Sequence, residues 1–131
     1  MTFAWRDLSL LALGGVLGTL ARAGLSTLVT RALPKGAVFP WGTGAVNLLG
    51  CLLFGVCWVL IENRLGGSVV AKLCVLTGFM GAFTTFSTFA FETATLLERS
   101  QVGLAVGNLL LQNVAGVLFM VLGMSIGRAL F

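Results

Sequence analysis

Histidine and tyrosine are missing from this 131-residue chain, and acidic residues number four against eight basic ones. Without histidine there is no imidazole ligand or base, and the few acids form no cluster that would hold a metal. No glycine-rich loop precedes a lysine in the way a phosphate cradle requires. Cys51, Cys57 and Cys74 lack metal-type spacing, and Cys51 and Cys57 fall on different faces of one helix. They read as small buried apolar side chains rather than bridges. The chain is therefore expected not to be an enzyme. The net charge of +4 fits an interfacial excess of basic residues and gives no reason to propose nucleic-acid binding.

What is abundant is hydrocarbon. The composition is 58% hydrophobic and 9% charged, with a mean hydropathy of +1.06, far from that of a soluble domain. Uncharged runs extend over Gly36 to Ile61, Leu73 to Phe91 and Ser100 to Gly127, and a fourth, Leu8 to Thr30, is interrupted by Arg22 alone. Each is near or above the ~20 residues that a helix needs to cross a bilayer core. The expected organisation is one all-α transmembrane domain over 1–131, with four spans at roughly 8–33, 42–61, 70–98 and 103–127, lying multi-pass in the cell membrane. A signal peptide is the competing reading of the first segment, since Ala21, Arg22 and Ala23 form a small-x-small arrangement. It is disfavoured because the arginine sits beside the supposed cut and the span reads on through it.

With four spans both termini share one side. Arg6, Arg64, Lys72 and Arg128 then face Arg31, Lys35 and Arg99 across the membrane, four against three. Cytoplasmic loops normally carry a clear excess of Lys and Arg, so this balance barely specifies an orientation. It is compatible with insertion both ways, and equally with a topology set by a few residues near the ends.

Eighteen glycines are also present. Gly14 and Gly18, Gly103 and Gly107, and Gly123 and Gly127 each stand four apart on one helix face, where backbones can approach closely. Lipid offers no hydrophobic drive for helix association, so such packing must hold the spans together. Gly14 and Gly18 continue to Arg22 on the same row, which predicts that the arginine faces protein or water. Four short helices enclose little interior, which favours an oligomer.

The third span contains "GFMGAFTTFSTFAFE". Gly78 and Gly81 flank Met80 near its middle, and Thr84, Thr85, Ser87 and Thr88 follow. Glycine tolerates the conformations a break needs, and hydroxyls can satisfy the backbone groups a break releases, so the expectation is a discontinuous helix interrupted at these glycines. The alternative is an unbroken helix whose threonines bond to the preceding turn. A break would bring a carbonyl end, suited to a cation, and an amide end, suited to an anion, to mid-membrane. Beyond it, Phe86 and Phe89 lie about 60 degrees apart on the wheel, with Thr85 and Glu92 on the same flank. Ring edges carry partial positive charge and can line an anion's path, although phenylalanine usually serves packing. In the second span Thr43, Asn47 and Cys51 share a row, and the Asn47 amide is a candidate anion donor. Asn108 and Gln112 stand four apart in the fourth span, with Asn113 adjacent, either as interhelical glue or as part of a narrow polar track.

These segments, "GGVLGTLAR", "GTGAVNLLG" and "GFMGAFTTFSTFAFE", resemble the Fluc/CrcB fluoride channels over essentially the whole chain. The resemblance implies an antiparallel, dual-topology dimer with two fluoride pores and a structural sodium ion at its centre. It implies that the Gly81 and Thr84 carbonyls hold that sodium, and that Phe86 and Phe89 line the pores. Asn47 would be the pore-facing amide with Thr43 one turn earlier, while Ser87, Thr88, Glu92 and Arg22 match further polar positions. The chain departs from the family pattern at Ala23, where an aromatic is common, and at Asn108 and Gln112, where a tyrosine and then a serine are common. These departures leave open a partner that is a paralogous subunit rather than a second copy. The implied activity is passive fluoride efflux that lowers cytoplasmic fluoride. Its rivals are a proton-coupled exporter resembling the small multidrug resistance proteins and a structural subunit of a larger complex. The exporters rely on a first-span carboxylate, whereas the acid deep in a span here is Glu92.

Overall fold

The computed structural model describes residues 4–131, and these are helical apart from short connections. Four helical stretches are long and apolar enough to cross a membrane: Trp5–Ala32, Trp41–Arg64, Val69–Glu98 and Val102–Leu130. Each lies within a few residues of the span expected from hydropathy. The first two are single helices, α1 (Trp5–Ala32) and α2 (Trp41–Arg64). The third consists of α3 (Val69–Ala71), a π-helical segment (Lys72–Met80), α4 (Gly81–Phe83) and α5 (Phe86–Glu98). The fourth consists of α6 (Val102–Leu110), a π turn (Leu111–Ala115) and α7 (Gly116–Leu130). α1 begins one turn before the expected start, and Asp7 lies in that turn, where its carboxylate accepts the Ala4 N–H at 3.3 Å.

Two glycine seams hold the bundle. Along the first, α1 packs against the π segment of the third span: a Cβ at Gly14 would strike the Cys74 carbonyl, and one at Gly18 the Phe79 carbonyl. Along the second, α7 packs against α2. A Cβ at Gly123 would strike the Leu52 backbone, one at Gly127 would lie 2.8 Å from Val59 Cβ, and one at Gly55 would lie 2.5 Å from the Met120 carbonyl oxygen. Backbone approach this close is open only to glycine, and dispersion over the resulting contact replaces the missing hydrophobic drive. The Gly103–Gly107 pair does not form such a seam. Nothing lies within 4 Å of a Cβ at Gly103, and Gly107 meets only the Phe39 ring, because this part of the fourth span leans on the loop before α2.

The third span is interrupted, but not at its glycines. Gly81 is helical, at φ −63° and ψ −35°, and Gly78 packs tightly on α1 beside Leu11 and Gly14. The chain leaves the helix about one turn later. Thr84 is extended at φ −82° and ψ 159°, and Thr85 at φ −147° and ψ 113°. Small size, rather than conformational freedom, is what the third-span glycines contribute. Adjacent β-branched threonines, whose hydroxyls compete for backbone partners, are poor helix formers and good helix starters. Thr85 accordingly caps α5, its Oγ1 accepting the Thr88 N–H at 3.3 Å. Thr84 Oγ1 donates to the Met80 carbonyl at 3.0 Å. The three cysteines are free and half-buried.

A bulky side chain at Gly123 should separate α7 from α2, whereas Gly103 has room for one. Gly123→Val is expected to lower stability by about 1–3 kcal/mol, and Gly103→Val to leave it unchanged. Unfolding in mixed detergent micelles, followed by circular dichroism, distinguishes the two.

Candidate functional site

At the break the Thr85 peptide has no helical partner and is taken up by a side chain. Asn47 Nδ2 donates to the Thr85 carbonyl at 3.0 Å, and the Thr85 N–H donates to Asn47 Oδ1 at 2.8 Å. A carboxamide presents the same donor and acceptor as a peptide, so Asn47 pairs with this one peptide as a neighbouring strand would. The second Nδ2 hydrogen goes to Gln112 Oε1. Asn47 thus gives both its hydrogens to protein acceptors. It borders the site as a bonded group and does not stand free toward an ion. Because the Thr85 and Thr88 N–H groups are directed to side chains, they do not close helical bonds to Gly81 and Thr84, the residues four positions before them. Those two carbonyls are the ones that the family resemblance implies for a cation.

Around this point lie three cavities in series. A groove of about 240 Å³ is bordered by Asn47, Thr84, Thr85, Phe86, Phe89 and Gln112, among others. A second, of about 260 Å³, lies between Arg22, Ser26, Thr43, Val46, Thr85 and Thr88. Thr85 borders both. A third, of about 590 Å³, shares Ser26 and Thr43 with the second and opens toward Glu92, Arg31, Lys35 and Arg99. The outermost of these cavities is bordered by three cations, the next by hydroxyls and an arginine, and the innermost lies at the break. There the N-terminus of α5, with its partial positive charge, faces the groove. Clustered positive charge at a mouth raises the local concentration of anions.

The two phenylalanines at the break sit differently. Their ring centroids are 5.5 Å apart and the planes are inclined at 58°, a tilted rather than stacked pair. Phe89 is 5% exposed, packed within the chain, and Phe86 is 76% exposed. Thr43 Oγ1 donates to Glu92 Oε1 at 2.7 Å, and Glu92 Oε2 is buried without a hydrogen-bond partner among the described residues. Seven of the expected residues, Arg22, Thr43, Asn47, Phe86, Thr88, Phe89 and Glu92, thus border the series of cavities, as does Thr84. Ser87 and Gly81 are exposed and lie outside the three cavities, on the surface of the third span that the chain itself leaves uncovered. Phe89 and Glu92 do share a flank, but Thr85 is turned inward by its peptide pairing with Asn47.

Sequence reasoning missed Ser26, which links two of the cavities, and Thr93, which receives a bond from Asn108 at 2.9 Å. A lone hydroxyl among apolar residues gives no signal of its own. Gln112 was visible through its spacing from Asn108, and the structure turns it to the groove.

A chain of four membrane-length helices, with the third interrupted at mid-span and a string of polar cavities at the interruption, is a multi-pass membrane protein of the transport class. Residues 9–124 match the family described as CrcB-like protein, Camphor Resistance (CrcB), and the chain belongs to that family. The fluoride-specific ion channel FluC of Nitrosococcus oceani is 50% identical over 124 residues, covering 95% of this chain and 98% of the relative. That of Solidesulfovibrio magneticus is 47% identical over 121 residues, covering 92% and 95%. That of Nitratidesulfovibrio vulgaris strain Miyazaki F is 55% identical over 92 residues, covering 70% and 73%.

Replacing Asn47 by leucine leaves the Thr85 N–H and carbonyl without partners, at a cost of about 1–3 kcal/mol for each. The Thr85 amide is expected to exchange with deuterium much faster in Asn47→Leu than in the parent. Mass-spectrometric exchange of the peptide spanning the break measures this.

Proposed function

We propose that the chain is a fluoride-selective channel through which fluoride leaves the cytoplasm passively, down its electrochemical gradient. The observation that carries this reading is the interrupted third span, whose half-helix start and two phenylalanine rings border one groove, in a chain of the CrcB-like family. Its relatives bear the name of fluoride-specific channels, and transport of this kind makes and breaks no covalent bond. The carboxylate of a proton-coupled exporter has no counterpart within the first span, where Arg22 stands; Asp7 is engaged at the helix start.

The physical task is dehydration. Fluoride is small and holds its water tightly, so a path must replace that water stepwise with many weak partners rather than one strong site. Arg31, Lys35 and Arg99 gather anions at the mouth, and Arg22 with the Ser26, Thr43 and Thr88 hydroxyls receives them in the inner chamber. Phe86 and Phe89 offer ring edges at the break. The Thr43 hydroxyl already donates to Glu92, so it becomes available to an anion when Glu92 releases it.

The working unit is a dimer of two copies inserted in opposite orientations, or of this chain with a paralogous subunit. Support comes from the third span, where Phe86, Gly81, Ser87 and Thr88 are exposed at mid-membrane depth in the single chain. Lipid is a poor neighbour for hydroxyls and for a peptide released from its helix. The near balance of loop charges permits both insertions. A sodium ion held by the Gly81 and Thr84 carbonyls fits the donor set, since neutral oxygens released at the break suit a hard monovalent cation. Such an ion would fix the two breaks to each other.

Purified protein in liposomes loaded with potassium fluoride is expected to release fluoride and to retain chloride. Release of neither ion, or of both alike, overturns the reading. An edge-on ring contact is worth about 0.5–1.5 kcal/mol, so Phe86→Ile and Phe89→Ile should each lower the fluoride flux by about 2- to 12-fold. Exchange of sodium for a large organic cation at constant ionic strength is expected to lower both flux and thermal stability, read by the same assay and by detergent-phase melting.

A further inference from the structure

Beyond the break, α5 has lost its helical bonds to α4 and packs chiefly against α6. Besides the Thr43–Glu92 bond to α2, α5 is tied to the rest of the bundle by a run of hydrogen bonds through the fourth span. Asn47 Nδ2 donates to Gln112 Oε1, Gln112 Nε2 to Asn108 Oδ1 at 2.8 Å, and Asn108 Nδ2 to Thr93 Oγ1 at 2.9 Å. Thr93 Oγ1 then donates to the backbone carbonyl of Phe89 at 2.8 Å. Asn108 is 0% exposed and Thr93 7%, so neither exchanges its partner for water.

The direction of this run is dictated by the break itself. A peptide N–H can only donate, so the Thr85 N–H obliges Asn47 to turn Oδ1 toward it and Nδ2 toward Gln112. Gln112 must then present its oxygen to Asn47 and its nitrogen to Asn108, which leaves the Asn108 nitrogen for Thr93. With its oxygen occupied as an acceptor, Thr93 gives its proton to Phe89. Bonds aligned head to tail polarise one another, and a missing link leaves buried groups unpaired on both sides. The π turn Leu111–Ala115 holds Gln112 at the groove, with Asn113 beside it, and such turns recur at functional positions.

We propose that Gln112, Asn108 and Thr93 are positioning residues of the ion path: they transmit the orientation of the Thr85 peptide to α5 and thereby set where the Phe89 ring stands. This rests on the channel reading for its effect on flux, but not for its effect on the ring. Thr93 borders none of the three cavities, so its influence on conduction is indirect, exerted through the seating of α5 that carries Phe89 or back through Asn108 and Gln112, and the Phe89 resonance tells the two apart.

The test uses the full chain in liposomes and in detergent micelles. Thr93→Val keeps the shape and removes the hydroxyl; it is expected to reduce fluoride efflux by about five- to tenfold, and Thr93→Ser to restore it. Combined with Gln112→Met, Thr93→Val should reduce flux no further than the more severe single change, because one run is being cut twice. In protein carrying ring-¹³C phenylalanine, the Phe89 resonance should shift in Thr93→Val and return in Thr93→Ser. Unchanged flux together with an unchanged resonance in Thr93→Val overturns the proposal, as do fully additive losses in the double variant. A parent protein that conducts no fluoride defeats the channel reading, and the Phe89 resonance still decides the relay. Should Gln112→Met fail to yield monodisperse protein, the Thr93 pair decides alone.

Discussion

The fold depends on one side chain standing in for a strand. A peptide released from its helix in hydrocarbon has no water to fall back on, and each unpaired group costs several kcal/mol. Asn47 supplies the acceptor for the Thr85 N–H and the donor for its carbonyl, so the interruption is closed by a side chain. Two consequences follow from that pairing. The carbonyls of Gly81 and Thr84 are freed on one side of the break, and the start of α5, with its partial positive charge, is held on the other. The same few residues thus leave unbonded carbonyls on one face of the break and a helix amide end on the other.

The glycine seams make this possible at a distance. α1 lies against the π segment and α7 against α2, each at backbone contact, and these close pairs form a rigid frame in which the break is the irregular part. Asn47 and Gly50 are on the same helix as Gly55, so the side chain that closes the break is carried on the helix that the second seam locks. Position is thereby inherited from packing, while polarity is inherited from the amide.

Hydropathy was sufficient to find the four spans, because the bilayer imposes a length and permits few charges. Two of three glycine pairs were legible for a similar reason, since small residues four apart are what close approach requires. A break near the middle of the third span was legible from its glycines and hydroxyls, but the residues that carry it were not. Glycine serves both conformational freedom and small size, and spacing alone does not separate them. At Gly78 the second use prevails, and the break falls on Thr84 and Thr85 instead. The relay through Thr93 was invisible, because it joins residues on three different helices and because a π turn shifts the register that a 3.6-residue wheel assumes.

The same geometry explains why amides can stand in the fourth span where the family commonly has a tyrosine and a serine. A phenol at Asn108 would demand a larger space in a region that is already closed, with Asn108 wholly buried against Thr93. A carboxamide is short and has a donor and an acceptor at fixed separation, so two of them in series span the distance from Asn47 to Thr93 with every bond made. Replacing any one member by an apolar residue unpairs the groups on both sides of it, because each member satisfies both of its neighbours. Polar groups lodged in the middle of a membrane span are expensive to leave unmatched, and here they are matched along a line that ends on the carbonyl of Phe89. The helix that carries Phe89 is therefore tied to the fourth span by the Asn108–Thr93 bond, as its start is tied to the second span by Asn47.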